Sequence, residues 1–411
     1  MPDAPRPARH PRTKSHMVSG RLRTVLVKLH LYIGLVFGLL FVLMGLTGTL
    51  ISWRDDIDKW LNPDLLQGVS ATRIPVGAAT VESVTARLMA DPRYGKPNLL
   101  MLPIDEHDVF IAYYPIQGAQ AAPGRSRQVM IDPITLAVKG ERLFGVPGLS
   151  RQQIMPTLFH LHRYLLSGET GKTIVGVTGM VLLLSVLLGV ALWWPKSRLR
   201  AWKQSVRIAH GGSWSRFTYT FHRAGGIFAA PVLAVIAFSG WYLNLPKWVT
   251  PIIGSVMTVS APAKHQSDPP PPGAHAITPA QAMTAAQRQF PGAQVTRISL
   301  PRKPGDAYEV RLRQEGELQA DSGATRLWLD AYTGRPLGAR DPRDAQSGDA
   351  LIFWLFPLHT GEAFGTYGRV FITAFGLMPL AFALTGVLIW WKRRSGHQRH
   401  LERERVRLKR G

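Results

Sequence analysis

Four of the chain's 13 histidines, His30, His162, His222 and His359, stand at or just before the start of four long apolar runs. One histidine at a helix end ordinarily caps the helix or reaches a headgroup. Four at related places call for a different explanation, because an ionisable side chain at membrane depth is costly and marks function. The neutral imidazole is the commonest metal ligand among side chains. The chain has no cysteine. Disulfides, thiolate metal sites, iron–sulfur clusters and covalently attached c-type haem are therefore excluded.

The elements that must position these histidines are the apolar runs, roughly 29–51, 174–194, 227–245 and 370–391, none with an internal charge. About 20 residues of helix cross a bilayer core. The first run is too long for a signal core, and Ser52-Trp53-Arg54-Asp55-Asp56 offers no small-residue cleavage site, so it reads as a retained helix. Residues 1–28 carry seven Lys/Arg and one acid, 195–221 six and none, 392–411 nine and two. These stretches hold most of the formal +23, whereas 54–156 (eleven bases, eleven acids) and 244–357 (twelve and ten) are nearly neutral. That is the positive-inside pattern: a multi-pass bacterial inner-membrane protein with both termini cytoplasmic and two periplasmic segments. The charge fits contact with membrane lipid. Nucleic acid is not an expected partner, since neither large segment presents a basic excess.

The runs repeat. His162 precedes Trp193-Trp194 by 31 residues and His359 precedes Trp390-Trp391 by 31; a Gly-Lys or Gly-Arg pair follows each histidine at nine. His30 precedes Gly48, and His222 precedes Gly240, by 18, with Thr47 or Ser239 just before the glycine. The chain thus reads as two parallel helix–domain–helix repeats about an axis along the membrane normal. His30 and His222 fall at the cytoplasmic side and His162 and His359 at the periplasmic side. Two opposed neutral imidazoles in an apolar bundle suit the axial positions of a low-spin b-type haem, so two haems are expected. Zinc would need a tetrahedral set of which each level supplies half. A proton relay lacks an intramembrane carboxylate. His160 is the alternative to His162: the two lie about 200° apart on a helix and cannot face one haem. The repeat selects His162, because His160 aligns with Phe356-Pro357. Arg163 and Arg223 follow ligand candidates and could meet haem propionates; interfacial anchoring is the competing role. The Trp pairs read as interfacial belts, and Gly34-xxx-Gly38 as close helix packing or as room for a haem plane.

An unbroken helix from His162 to Trp194 would run about 48 Å, so Gly168 and Gly171 are expected to break it. Each large segment reads as one helix on an antiparallel sheet. The first has a helix near 79–90, strands near 98–103, 109–114 and 128–131, then Asp132-Pro133-Ile134-Thr135. The second has a helix at 278–290, strands at 294–300, 307–313 and 326–330, then Asp330-Ala331-Tyr332-Thr333-Gly334. The Pro-rich 268–272 stretch reads as a linker. The expected organisation is a basic cytoplasmic tail (1–28), a first span (29–53), an α+β domain (54–156), an edge segment with a second span (157–194), a basic loop (195–221), a third span (222–245), a second α+β domain (246–357), an edge segment with a fourth span (358–391), and a basic tail (392–411). The fold class is therefore integral membrane α-helical, with two periplasmic α+β domains.

Lys28-Leu29-His30, Leu161-His162-Arg163, Phe221-His222-Arg223, Leu358-His359-Thr360-Gly361-Glu362 and the Gly-x-x-x-Trp-Trp endings at Gly189 and Gly386 together resemble the PepSY-associated transmembrane proteins, from Lys28 to Arg394. Asp330-Ala331-Tyr332-Thr333-Gly334 looks like the end of a PepSY module; the first segment departs from it at Leu136, where the glycine is missing. Some members look like inner-membrane ferric-siderophore reductases carrying haem b. The resemblance implies an oxidoreductase that passes electrons to a ferric siderophore in the periplasm. With no Gly-rich dinucleotide fingerprint in the chain, the donor is external, a quinol or a flavoprotein. Two other functions stay open: an electron conduit to another periplasmic acceptor, and a non-enzymatic PepSY-bearing regulator or scaffold.

Overall fold

The computed structural model describes residues 20–69, 76–118, 124–195, 199–261, 263–270, 272–319 and 322–408. Most of the first basic tail (1–19), 196–198 of the basic loop and Pro271 of the linker lie outside the described residues.

A long helix α1 (Gly20–Ile51) leads into the short α2 (Arg54–Leu61) and α3 (Pro63–Leu66), then α4 (Ala78–Ala90) and four strands, β1 (Leu99–Met101), β2 (Phe110–Tyr114), β3 (Ser126–Ile131) and β4 (Val138–Phe144). Helices α5 (Ile154–Tyr164), α6 (Gly168–Trp193), α7 (Leu199–Ser205), α8 (Trp214–Asn244) and α9 (Pro246–Gly254) follow. The second set comprises α10 (Pro279–Gln289), β5 (Gln294–Ser299), β6 (Tyr308–Arg313), β7 (Thr325–Leu329), β8 (Pro336–Arg340), α11 (Ser347–Thr360), α12 (Gly365–Gly376) and α13 (Met378–Leu408). Among the described residues, four helical stretches are long and apolar enough to cross a membrane: Gly20–Ile51, Gly168–Trp193, Trp214–Asn244 and Glu362–Gly396. They form one bundle, in which α6 packs most extensively on α8, and α1 on α13. Apolar side chains such as Val36, Leu39, Phe228 and Leu384 point outward, as lipid-facing residues do.

The break between α5 and α6 falls at Leu165–Ser167, just before the expected glycines. Leu165, Leu166 and Gly168 are left-handed, with φ of 46°, 57° and 59°. Gly171 serves another purpose: a Cβ there would lie 1.6 Å from the Tyr164 carbonyl oxygen. Gly368 has the same role in the second half, with its Cβ position 2.1 Å from the Gly361 carbonyl oxygen. Both glycines let a bundle helix fold tightly back on the segment that carries a histidine.

The two α+β segments do not stay separate. Their strands join into one eight-stranded antiparallel sheet, ordered β4-β3-β2-β1-β5-β6-β7-β8. The seam is β1 with β5, where Leu100 pairs with Ile298. Each half alone would expose the edge of its first strand, and pairing the two edges satisfies both. Strands β4 and β8 are additions to the expected set; they carry little alternation, with buried residues scarce on either. Helices α4 and α10 cover one face. Val84, Leu88, Met283 and Ala286 bury there against Leu100, Phe110, Ile298, Val310 and Leu327 in a single core spanning both halves. Helix α10 starts at a capping box between Thr278 and Gln281.

Each half closes with the same turn. The Asp330 carboxylate accepts from the backbone N–H of Tyr332 (3.0 Å), Thr333 (2.8 Å) and Asp268 (2.9 Å). Asp132 accepts from Ile134 and Thr135 (both 2.9 Å) and Val69 (2.8 Å). Burial alone would raise both carboxyls, but these bonds outweigh it and hold each below its ordinary value. Gly334 sits at φ 69°, and Leu136 takes the matching position at φ 57° without being glycine.

Candidate functional site: two facing histidine pairs

His162 lies two residues from the end of α5, and His359 one residue from the end of α11. Their rings face one another with centroids 6.3 Å apart and planes at 61°. His162 Nδ1 lies 2.9 Å from Thr47 Oγ1 of α1, and that hydroxyl donates to the Leu43 carbonyl at 2.6 Å. His359 Nδ1 lies 2.9 Å from Ser239 Oγ of α8, whose hydroxyl donates to the Val235 carbonyl at 2.6 Å. The next residue on each helix is a glycine against the ring: a Cβ on Gly48 would stand 3.2 Å from His162 Cε1, and one on Gly240 3.2 Å from His359 Cε1. The hydroxyl–glycine step legible in the sequence is thus a seat for the histidine of another helix.

The second pair lies toward the opposite end of the bundle. His30 of α1 faces His222 of α8 with ring centroids 6.4 Å apart and planes at 79°. His222 Nδ1 is 2.8 Å from Thr385 Oγ1 of α13, whose hydroxyl donates to the Ala381 carbonyl at 2.7 Å. His30 Nδ1 is 3.1 Å from the Ser185 carbonyl oxygen of α6. The Cβ positions of Gly189 and Gly386 lie 3.5 Å from the Cε1 atoms of His30 and His222. Since α1 carries both His30 and the Gly48 seat, 18 residues on, the two levels are about 27 Å apart along its axis.

These bonds assign the tautomer. Each hydroxyl has already given its proton to a carbonyl, so it accepts from Nδ1–H, and the Ser185 carbonyl can only accept. All four rings therefore carry the proton on Nδ1 and keep the Nε2 lone pair. Among the described residues, the hydrogen bonds of the four rings are to Nδ1 alone. Two facing lone-pair acceptors cannot bond to each other and suit an electrophile held between them. Metal–imidazole bonds of ~2 Å would set the two ring centroids roughly 6 Å apart, which matches both pairs. An imidazole whose other N–H is held by a protein acceptor is the usual arrangement of a metal-ligating histidine.

Arg163 and Arg223 each retain a buried Nε with no hydrogen-bond partner among the described residues. Arg163 lies over the Tyr164 ring at 5.6 Å. Arg223 lies over Tyr219 at 5.7 Å and also donates to the Gln204 carbonyl. The structure places His160 elsewhere. It is buried between Phe144 and Tyr164, with Nδ1 3.0 Å from the Pro156 carbonyl and Nε2 3.0 Å from the Gly124 carbonyl. The close packing expected at Gly34-xxx-Gly38 is not present: no atom lies within 4 Å of either Cβ position, although Gly38 is buried. Trp193 and Trp194 both pack on Trp202 of α7, at 5.4 and 5.5 Å.

His162 and His359 open into a cavity of about 500 Å³. Gly48, Arg163, Gly240 and Arg369 line its floor, and Met101, Ile111, Tyr113, Gln128 and Arg142 its ceiling, on the sheet face turned away from α4 and α10. The buried Arg142–Asp58 ion pair (2.7 Å) fixes α2 to the ceiling. Among the described residues, no group of three or more histidines and carboxylates converges as a multidentate metal site.

The sequence pointed to the histidines but missed Ser185 and Thr385, which occupy different places in their helices. The preference of hydroxyls for an i−4 carbonyl gives no hint of the ring they also receive. A comparison with curated proteins finds no significant match. The profile of the PepSY-associated TM region matches residues 27–393, which contain all four paired histidines and the whole sheet. This multi-pass membrane chain belongs to the PepSY-associated TM family.

Proposed function

We propose that the chain transfers electrons across the bacterial inner membrane through two b-type haems, and that its acceptor is a ferric siderophore reduced on the periplasmic side. The observation that carries this reading is the matched geometry of the two pairs: centroids at 6.3 and 6.4 Å, with every Nδ1 proton committed to a protein acceptor. His162 and His359 would hold one haem iron, His30 and His222 the other. When bound, haem supplies a one-electron ferric/ferrous couple in an apolar interior.

The chain's own residues do the rest. Thr47, Ser239, Thr385 and the Ser185 carbonyl hold the imidazoles in the ligating tautomer and raise their basicity. Arg163 and Arg223, each with an orphaned Nε, suit the carboxylates of haem propionates. The cavity over His162 and His359 offers an acceptor a place beside the outer pair. The positive-inside pattern supports a periplasmic sheet and cavity, with the His30–His222 pair near the cytoplasmic face. The resemblance of the two halves supports a duplication that gives each haem one ligand from each repeat. One electron converts a ferric chelate to the ferrous form, which hard oxygen ligands hold less tightly; that electron comes from an external quinol or flavoprotein.

The test is an absorption spectrum with haem quantification on full-length protein from haem-replete expression. Two b-type haems per chain are expected, and the pair His30→Ala with His222→Ala should remove one. Absence of pigment ends the haem reading; loss of both haems or of neither ends the pairing. The siderophore assignment is dropped if dithionite-reduced protein is not reoxidised by any ferric siderophore.

A further inference from the structure

Four arginines lie in register across four adjacent strands. Arg297 of β5 is directly paired with Arg311 of β6, Arg311 with Arg326 of β7, and Arg326 with Arg340 of β8. Directly paired residues of an antiparallel sheet project to one face, and like charges there destabilise the sheet. The same row continues on the other side of the seam as Met101, paired with Arg297, and Ile111, paired with Met101. Met101 and Ile111 line the ceiling of the cavity above His162 and His359. The arginine row is therefore the continuation of that ceiling, and the link is physical as well as topological: Arg311 donates to Ser322 Oγ at 3.3 Å, and Ser322 lines the cavity.

The row is neutralised only in part: Glu309 and Glu317 act on Arg311 but do not cancel the burial and the neighbouring guanidiniums. Arg326 and Arg340 have only long ion pairs, to Glu309 (3.7 Å) and Asp349 (3.5 Å). Arg297 and Arg311 have no ion pair among the described residues, and the Nε of each is buried without a partner. Burial, then Arg326 and Arg297, push the Arg311 guanidinium down to about 10, the mark of a cation held where it is electrostatically unwelcome. Neighbouring guanidiniums with inward, unfilled donors form the fork that recognises carboxylate and phosphate.

We propose that this row is a binding site for an anion bearing two or more carboxylate or phosphate groups, taken up on the sheet face that roofs the cavity. The site stands independently of the haem reading. Its ligand chemistry is available from two sources, a soluble polyanion or the headgroups of anionic lipid at the membrane surface below the sheet.

The full chain in phosphatidylcholine nanodiscs should be titrated with citrate and with pyrophosphate, followed by calorimetry and by thermal unfolding. In a separate arm, phosphatidylglycerol should replace part of the lipid. The expected result is a rise in unfolding temperature with at least one of these anions. Arg297→Gln with Arg311→Gln should weaken binding at least tenfold. In the absence of anion, the same variant should melt higher than the parent, because repulsion within the row is relieved; arginines with a purely structural role would make it melt lower. Arg311→Lys keeps the charge but loses the fork, so it should bind weakly without the gain in melting temperature, and it serves if the double variant does not fold. Lys303→Gln, off the row, should change nothing. A response to soluble anions assigns the site to a soluble ligand, and a response to phosphatidylglycerol alone assigns it to lipid headgroups. The proposal is overturned if no anion stabilises the parent, or if the double variant responds as the parent does.

Discussion

The Thr47 hydroxyl accepts the Nδ1 proton of His162 at 2.9 Å while giving its own proton to the Leu43 carbonyl at 2.6 Å. One side chain on α1 thereby decides which nitrogen of a histidine on α5 keeps its lone pair. Ser239 does the same for His359. Thr47→Val keeps the shape of the side chain and removes the acceptor. We expect haem affinity at the outer pair to fall about 10- to 100-fold, the usual cost of losing such a support, with the inner pair unaltered. Haem titration of apo-protein checks this; equal loss at both pairs would contradict the separate seats.

The glycine seats should differ in tolerance. A Cβ on Gly48 or Gly240 would come within 3.2 Å of its ring carbon, whereas one on Gly189 or Gly386 would sit at 3.5 Å, ordinary contact. Gly48→Ala and Gly240→Ala are expected to shift the spectrum and potential of the haem proposed between His162 and His359. Gly189→Ala and Gly386→Ala should leave the haem proposed between His30 and His222 nearly unchanged. Redox titration of the four variants is the measurement, and equal effects at all four would refute the contact argument.

Arg142 and Asp58 form an ion pair 2.7 Å long, with both side chains over 90% buried. Arg142 also donates to Gln128 at 2.6 Å. Asp58→Ala leaves a buried cation uncompensated and should cost about 3–5 kcal/mol. The joint change Asp58→Leu with Arg142→Met should cost much less. Chemical denaturation of the detergent-solubilised protein reads the difference, and equal costs would mean that the pair adds nothing beyond packing.

Acid should loosen the sheet through Asp132 and Asp330. Both carboxyls are held below the unfolded value of ~3.9, so their contribution is complete above that value and is lost as pH falls through the folded one. Asp330→Asn should lower the unfolding temperature at pH 7, and the gap to the parent should close as pH drops below ~4. A gap that stays constant from pH 7 to pH 3 would show that the carboxylate charge is not what the turn binds.

Much of this arrangement was legible in the sequence because its causes are local. Apolar length marks the four spans, charge asymmetry their expected orientation, and the shared spacing of His162 and His359 to the Trp pairs singled out those two over His160. Helix α10 announced itself through Thr278 and Pro279; the Gln281 half of its capping box appeared only in the structure. Strands β4 and β8 did not announce themselves, because neither alternates strongly. The glycines at 168 and 171 suggested a break, and Gly168 does take a left-handed φ of 59° there, but Leu165 and Leu166 share the turn, and Gly171 instead packs tightly on the Tyr164 carbonyl. Leu136 likewise accepts the left-handed position that Gly334 fills in the second half, held by the same Asp-centred bonds.

The sequence by itself determined the element types and the residues able to ligate, since periodicity, charge and side-chain chemistry are properties of short stretches. Tertiary structure alone decided that β1 pairs with β5, nearly 200 residues away, making one sheet from two segments. It decided that Thr47 and Ser239 serve histidines on other helices. It also set Arg297, Arg311, Arg326 and Arg340 in a single row, because strand register is fixed by packing across the whole sheet and by nothing within any one strand.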